Sequence, residues 1–234
     1  MSDQPILFII PGACSLGSQI TLESLDIPYQ IGITTPAIRA SEQFKQINPT
    51  GKVGALIDGD FTIGENLAIL LYLADKYPDK NLIGKIHSKE RIKAYQWLSY
   101  LAATLHPAFS HSLYPERFID AASLESFKQL AATRLTTTLS YIENELAKNN
   151  GFFVEDHLTI VDMQAYGLLR WTKIHRNQNN LVNLTAFPMI LGFLNKMEAL
   201  QQVQNALAIE QQAPQNILDS KFAGYFEFNN PTFD

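Results

Sequence analysis

The stretch NPTGKVGALIDGDFTIGENLAILLY, residues 48–72, decides the fold. Its first five residues, 48–52, are rich in turn formers and predict a loop. Two short β-prone runs, residues 55–57 and 61–63, flank Asp-Gly-Asp, and Asp-Gly between such runs predicts a hairpin. Gly64-Glu65-Asn66 then opens an apolar segment long enough for a buried helix. Because a helix start presents unpaired backbone N–H groups, which attract a carboxylate or phosphate, the stretch predicts a ligand-binding edge.

The residues before this stretch alternate between strand and helix patterns. Residues 6–10 form a continuous apolar run, which is typical of a strand covered on both faces. Residues 15–25 predict a helix, residues 29–34 a second strand, and residues 42–47 a short polar helix. This alternation predicts an α/β domain with a mixed sheet.

The chain becomes helical in pattern after a predicted boundary at residues 78–81. Ser88 and Ser123 are placed to begin two long helices, and Pro107 is expected to kink or end the first because it lacks a backbone donor. Thr159 and Asp162 have the spacing of a capping box, which we interpret as a folding device without a catalytic part.

Composition limits the classes of function. The chain has 234 residues, a formal net charge of −5 and a pI near 5.5, which argues against a nucleic-acid partner. No apolar run has the length of a membrane span, so we expect no membrane partner. The single cysteine excludes an internal disulfide and fits a cytoplasmic location. The histidines are scattered without metal-ligand spacing, so no metal cofactor is expected.

Two motifs carry a resemblance to a known family. The pattern NP-x-GKV, a hairpin and a helix opened by Glu plus a small polar residue resemble the glutathione-site half of the cytosolic glutathione transferases. PGACSL, residues 11–16, is similar to the bacterial beta class. The resemblance covers most of the chain. It implies an α/β thioredoxin-like domain over residues 1–82, followed by an all-α domain over residues 83–234.

The resemblance implies that Cys14 contacts the sulfur of glutathione and forms a mixed disulfide with it. Its place after a strand and turn, near a helix N-terminus, favours a thiolate. The alternative is a small buried side chain without chemistry. Ser15 is expected either to donate a hydrogen bond to a glutathione thiolate or only to cap the helix.

Two further residues come from the second predicted domain. His106 matches a histidine that beta-class enzymes direct towards the same thiol, and the alternative is a charge complement late on its helix. Ser99 occupies a position that usually holds asparagine in that class, and it would be a shorter donor.

The remaining implied residues hold the tripeptide. Lys52 would meet a glutathione carboxylate and the Val53 backbone would pair with the cysteinyl residue. Glu65 would bind the γ-glutamyl ammonium and Asn66 the γ-glutamyl carboxylate. The alternative is a capped surface helix beside a charged loop.

Two positions depart from the family pattern. The family has a proline in a cis bond after this valine, whereas this chain has Gly54. A cis non-proline bond costs ~3–4 kcal/mol, so the sequence predicts a trans Val53–Gly54 bond. Ile9 stands where the beta class carries a tyrosine, which removes that route of thiol activation.

The sequence thus predicts transfer of glutathione to a small hydrophobic electrophile. Two alternatives are a non-catalytic binding or assembly module and a glutathione-dependent thiol–disulfide reductase that uses Cys14. The resemblance implies a homodimer through the first long helix of the second domain and the helix at Glu65. The aromatic tail, residues 222–234, is expected to pack on the second domain or across the dimer, or else to roof a hydrophobic pocket.

Overall fold

The chain folds as two compact units. The computed structural model describes residues 4–149, 151–176 and 179–228. Within them, the first unit comprises residues 4–82 together with residues 198–228, and the second comprises residues 83–197. The first stretch of the first unit ends at Leu82, which is also the last residue of the first predicted domain. The segment from Glu198 onward belongs to the first unit, whereas the sequence predicted it as part of the helical domain.

Strands and helices alternate in the first part of the chain, and helices dominate the part that follows. The strands are β1 (Ile6–Ile9), β2 (Tyr29–Ile33), β3 (Ala55–Asp58), β4 (Phe61–Gly64), β5 (His175–Arg176), β6 (Asn179–Asn180) and β7 (Phe222–Tyr225). The helices are α1 (Leu16–Leu25), α2 (Pro36–Ala40), α3 (Glu42–Ile47), α4 (Asn66–Lys76), α5 (Lys89–Tyr100), α6 (His106–Leu113), α7 (Leu124–Lys148), α8 (Ile160–Leu169), α9 (Pro188–Glu198) and α10 (Gln201–Glu210). No helix within these described residues is both long and apolar enough to cross a membrane.

The first unit is built on a five-stranded mixed sheet with strand order β4-β3-β1-β2-β7. β1 runs parallel to β2 and antiparallel to β3, and β3 and β4 form the predicted hairpin, in which Asp58 lies opposite Phe61. Gly59 supplies the positive φ of the turn, +64°. The four strands β1–β4 and their helices have the thioredoxin-like order, and the predicted fold class is confirmed.

One face of this sheet carries an aromatic cluster. The Phe8 ring lies directly over Gly32, where an added Cβ would come within 2.4 Å of it. The rings of Phe44, Phe226 and Phe228 lie 5.8, 5.6 and 5.3 Å from that of Phe8, measured between centroids. Glycine at position 32 therefore makes room for the cluster.

Residues 222–225 of the tail form a strand of the first unit, so the prediction that the tail packs on the second domain was wrong for them. Packing across a dimer and roofing a pocket stay predictions, and residues 229–234 lie outside the described residues. β7 pairs in parallel with β2, with Tyr29 opposite Phe222 and Ile31 opposite Tyr225. An edge strand presents unpaired N–H and C=O groups, and β7 satisfies those of β2. The sequence did not indicate this pairing because its two partners are far apart in the chain.

Polar contacts hold the segment before β7 in place. Asn205 on α10 donates through Nδ2 to the backbone oxygen of Leu218 (2.8 Å) and accepts through Oδ1 from the Leu218 N–H (3.0 Å). The Glu23 carboxylate accepts from Tyr29 Oη and from Ser220 Oγ, each at 2.5 Å. Burial, together with the Glu23 carboxylate, raises the pKa of Tyr29 well above its ordinary value.

In the second unit, Ser88 caps α5 as predicted, accepting from the Arg91 N–H at 3.1 Å.

Pro107 changes the helix as predicted. α5 ends at Tyr100, a π-helical turn covers Leu101–Leu105, and α6 begins at His106 with the proline in its first turn. Proline cannot donate to the preceding turn but is tolerated at a helix start, which explains the position of the break.

The capping box before α8 is also confirmed. Asp162 Oδ2 accepts from the Thr159 N–H (2.9 Å) and Oγ1 (2.7 Å), and Oδ1 accepts from the Phe153 N–H (3.0 Å). Burial raises the pKa of Asp162 above its ordinary value, against the lowering effect of these hydrogen bonds.

Candidate functional site

Cys14 lies at the carboxyl end of β1, in the turn that leads into α1. The Ala13 N–H donates to the Ile10 oxygen at 3.0 Å, and Gly12 has a φ of +82°. The cysteine is half-buried and stands two residues before the first residue of α1. In α/β sheets, ligands bind beyond the carboxyl ends of strands, so the thiol occupies the expected position for a reactive group.

Asn66, the first residue of α4, contacts this thiol. Its Nδ2 lies 3.2 Å from Cys14 Sγ and donates to it. Its Oδ1 accepts from Ser18 Oγ at 3.0 Å. The sequence predicted Asn66 as a partner of glutathione's γ-glutamyl carboxylate and did not predict its contact with Cys14.

Gly54 is packed against the same amide. A Cβ at Gly54 would lie 2.7 Å from Asn66 Oδ1 and 3.4 Å from Ile69 Cδ1, so a larger residue here would require the Asn66 amide to move. The Val53–Gly54 bond is cis, and the prediction of a trans bond was wrong. That prediction used the general preference of non-proline peptide bonds for the trans form. It did not take into account that Gly54 is buried against Asn66 and Ile69.

The loop before Gly54 is organised by Asn48, which the sequence indicated only as a turn former. Its Nδ2 donates to the Lys52 oxygen at 2.7 Å, and its Oδ1 accepts from the Thr50 N–H at 3.2 Å. Lys52 is exposed, and half-buried Val53 packs against the apolar cluster around Phe8. The Asn-Pro turn signal was the available clue to this role.

Glu65 precedes α4 with a φ of +68°. Its side chain makes no capping hydrogen bond and is exposed, so the alternative of a side-chain cap is not seen at this residue. An exposed carboxylate beside a helix start can bind a cation.

Ser15 is fully buried at the N-cap position of α1. Its side chain makes no capping bond, and Oγ has no hydrogen-bond partner among the residues the structure describes. The predicted helix-capping role of Ser15 is therefore not seen in this conformation, and its donation to a glutathione thiolate stays a prediction.

His106 and Ser99 belong to the second unit. His106 is the first residue of α6. The alternative role, a positive charge that complements the negative C-terminal end of a helix, is therefore wrong. Its ring centroid lies 5.3 Å from that of Trp171. Ser99 is exposed on α5.

A carboxylate near the Cys14 turn was missed by the sequence reasoning. Glu210, at the end of α10, accepts from the Gly12 N–H at 3.3 Å and is 6% exposed. No local signal links positions so far apart in the chain. Across residues 4–149, 151–176 and 179–228, no three His, Cys, Asp or Glu side chains are grouped to hold a metal ion.

The site thus combines a half-buried thiol, an amide donor on that thiol, and exposed charges of both signs at Lys52 and Glu65. Thiolates are stabilised by such donors and by helix N-termini. The arrangement can therefore support thiol chemistry on a ligand that carries both carboxylate and ammonium groups.

Comparisons with known proteins identify the family of this chain. The family model described as glutathione S-transferase, N-terminal domain, matches residues 18–81, and that for the C-terminal domain matches residues 105–210. The chain is 31% identical over 208 residues to glutathione S-transferase GstA of Escherichia coli O157:H7, a match that covers 87% of this chain and 98% of that protein.

Solved structures give the same result. A sphingomonad glutathione S-transferase complexed with glutathione matches with a TM-score of 0.76 and 31% identity over 88% of this chain and 98% of that one. The bacterial beta class enzyme of Sphingomonas chungbukensis matches with a TM-score of 0.75 and 29% identity over 88% and 98% of the two chains. The chain therefore belongs to the glutathione S-transferase family of enzymes, and its predicted likeness to the bacterial beta class is confirmed.

Proposed function

We propose that this protein binds reduced glutathione beside Cys14 and joins its thiol to a small hydrophobic electrophile. The observation that carries the proposal is the half-buried Cys14 thiol at the carboxyl end of β1, in contact with the first residue of α4. In the reaction, the glutathione thiol loses its proton, its sulfur forms a bond to the electrophilic carbon, and the leaving group departs with the electron pair.

The charged groups around the thiol fit the ends of the tripeptide. Exposed Lys52 is available for a carboxylate, and exposed Glu65 for the γ-glutamyl ammonium. The Val53 backbone pairs with the cysteinyl residue. Ser15 and Asn66 are the further donors that we propose within the first unit. The roles of Ser99 and His106, which belong to the second unit, stay predictions from the family resemblance.

A second reaction is favoured by the hydrogen bond from Asn66 to Cys14. In glutathione-dependent disulfide exchange, the Cys14 thiolate attacks the glutathione sulfur of a mixed disulfide between glutathione and a substrate thiol. The substrate thiolate is expelled, and a mixed disulfide between Cys14 and glutathione is left. Glutathione thiolate then attacks that mixed disulfide, which regenerates Cys14 and leaves oxidised glutathione as the product. A donor on the cysteine sulfur assists this reaction directly.

The test of binding is calorimetric titration of the purified protein with reduced glutathione at neutral pH. We expect binding in the micromolar-to-low-millimolar range, weakened at least several-fold by Lys52→Ala and by Glu65→Gln. Lys85→Ala and Glu125→Gln, at exposed positions in the second unit, are the matched controls and are expected to bind normally. No heat and no thermal stabilisation at several millimolar glutathione would exclude both reactions and leave a non-catalytic binding or assembly module.

Cys14→Ser separates the two reactions. If this variant loses disulfide reduction and keeps transfer to an electrophile, Cys14 is not the essential group of the transferase. If both activities disappear while glutathione still binds, the thiol serves both.

We further propose that the protein is a cytoplasmic homodimer. Two observations support an interface. Ile92 and Tyr95 on α5 are 60% and 37% exposed, and Phe61 on β4 is 45% exposed. Ile92 and Tyr95 are three residues apart on α5 and so lie on one face of it, and neighbouring exposed apolar side chains are typical of protein contacts.

A further inference from the structure

We propose that Asn66 stabilises the thiolate form of Cys14, with Ser18 and Gly54 as positioning residues that hold its amide in the required orientation. This proposal rests on the proposed function in one respect, which is that Cys14 is the cysteine that reacts. It assigns Asn66 a different task from binding the γ-glutamyl carboxylate.

The first step concerns the direction of the hydrogen bond. A thiolate can only accept, so a neighbouring amide must present its NH₂ group to the sulfur. The Nδ2–Sγ distance of 3.2 Å places that group within hydrogen-bond range. A hydrogen bond that is stronger to the ionised sulfur than to the thiol shifts the equilibrium towards the thiolate.

The second step is how the amide is oriented. An asparagine amide can rotate by half a turn and exchange its oxygen for its nitrogen. Ser18 Oγ donates to Asn66 Oδ1 at 3.0 Å, and Ser18 is fully buried. In this orientation the hydroxyl donates to the amide oxygen, and the amide nitrogen faces the sulfur.

The third step is the space that the amide occupies. A Cβ at position 54 would lie 2.7 Å from Asn66 Oδ1, closer than atoms approach without moving. Glycine at position 54 and asparagine at position 66 are thus a matched pair. Replacing Gly54 by a larger residue would displace the amide from the sulfur.

The charges near Cys14 act in opposite directions. The start of α1 favours an anion. Two carboxylates disfavour a thiolate: Glu210, which accepts from the Gly12 N–H two residues before Cys14, and exposed Glu65, next to Asn66 in the chain. The amide donor of Asn66 offsets this repulsion at the sulfur itself.

The test uses alkylation of the full chain by iodoacetamide, followed by mass spectrometry as a function of pH. Cys14 is the only cysteine in the sequence, so the rate reports one group. In this reaction the sulfur forms a bond to carbon, iodide leaves, and the thiol proton passes to solvent. No glutathione is present, so the result is independent of glutathione binding.

For Asn66→Ala we expect the midpoint of the rate profile to rise by about one pH unit, a tenfold change in the thiol–thiolate equilibrium. Because a more basic thiolate is a better nucleophile, the rate below the midpoint should fall only about threefold to fourfold. The limiting rate at high pH should rise about threefold for the same reason.

Asn66→Asp distinguishes charge from packing. This variant keeps the size of the side chain but places a carboxylate near the sulfur, so the midpoint should rise further than in Asn66→Ala. A purely structural role would give the opposite order. Ser18→Ala and Gly54→Ala should raise the midpoint by smaller amounts, and Glu210→Gln should lower it.

Matched controls are available outside the site. Asn216→Ala changes an exposed asparagine, and Gly192→Ala adds a Cβ that meets no described atom within 4 Å. Both should leave the profile unchanged. The proposal is overturned if Asn66→Ala and Asn66→Asp both leave the midpoint of the rate profile unchanged. It is also overturned if the midpoint of Asn66→Asp lies closer to that of the unaltered protein than the midpoint of Asn66→Ala does. Both outcomes are independent of glutathione binding.

Discussion

Glu143, five residues before the end of α7, caps the first turn of α9 at Ile190. Its two carboxylate oxygens accept from the N–H groups of Met189 (2.8 Å) and Ile190 (2.9 Å). The first N–H groups of a helix have no partner within it, and the helix N-terminus favours negative charge. One side chain thus joins two helices of the second unit.

Replacing Glu143 by alanine should lower the free energy of unfolding by ~2–3 kcal/mol, because two hydrogen bonds to a charged group are lost together. Chemical denaturation followed by circular dichroism measures this. Glu125→Ala, which removes an exposed carboxylate paired with Lys128, should change the free energy by less than ~0.5 kcal/mol. Equal effects of the two changes would contradict the capping role.

The attachment of the tail should depend on Asn205. This side chain is 1% exposed and pairs with both backbone groups of Leu218, so Asn205→Ala removes a donor and an acceptor together. We expect a loss of ~2–3 kcal/mol and faster hydrogen exchange in β7. Asn216→Ala should leave both quantities unchanged. Unaltered exchange in β7 of the Asn205 variant would show that the aromatic contacts alone hold the tail.

Stability should depend on pH through Asp162. Because its pKa is raised in the native state, the native protein holds this proton at a pH where the unfolded chain has released it. The contribution of Asp162 to the free energy of unfolding therefore falls as pH rises from about 4, the pKa in the unfolded chain, to the raised pKa of the native protein. Asp162→Asn removes this dependence. It also replaces Oδ2, which accepts from the Thr159 N–H and Oγ1, by an NH₂ group that cannot accept, at ~2–3 kcal/mol.

The measurement for Asp162 is the difference in unfolding free energy between the unaltered protein and Asp162→Asn, from about pH 4 to about pH 8. The advantage of the unaltered protein should shrink as pH rises. Asp79→Asn, at an exposed position, should give a difference that does not vary. An advantage that grows with pH would mean that the hydrogen bonds outweigh burial.

The proposed dimer predicts the effect of a charge on α5. Ile92→Glu would bury a carboxylate in the interface, and the cost of burying an unpaired charge should convert the dimer into a monomer. Light scattering after size exclusion gives the mass. Leu130→Glu, on α7 at 65% exposure, should leave the mass unchanged. A monomer before any substitution would refute the interface.

The parts of the fold that could be predicted from sequence are those fixed by neighbouring residues. Asp58-Gly59 specified the hairpin, Ser88 and Thr159 specified helix starts, and Pro107 specified the break before α6. Helix α2 was missed although Thr35, which accepts from the Ile38 N–H, followed by proline is a local start signal.

The parts that could not be predicted depend on residues distant in the chain. The contact of Asn66 with Cys14 and the pairing of β7 with β2 join positions whose separation carries no periodic signal. The packing of Gly54 against Asn66 likewise joins residues that no local pattern links. For the candidate site, the motifs indicated which residues to consider, and the structure was needed to show which of them touch.

The place of β7 in the sheet has a consequence for synthesis of the protein. The nascent chain presents β1 and β2 early, but the strand that completes their sheet emerges only after the whole second unit has been translated. At ~5–20 residues per second, the interval is about ten to forty seconds. During this interval the edge of β2 lacks β7, and Phe8 lacks its contacts with Phe226 and Phe228. The ribosome-bound intermediate is therefore the state in which these groups are most exposed and in which binding of a chaperone would protect the largest surface.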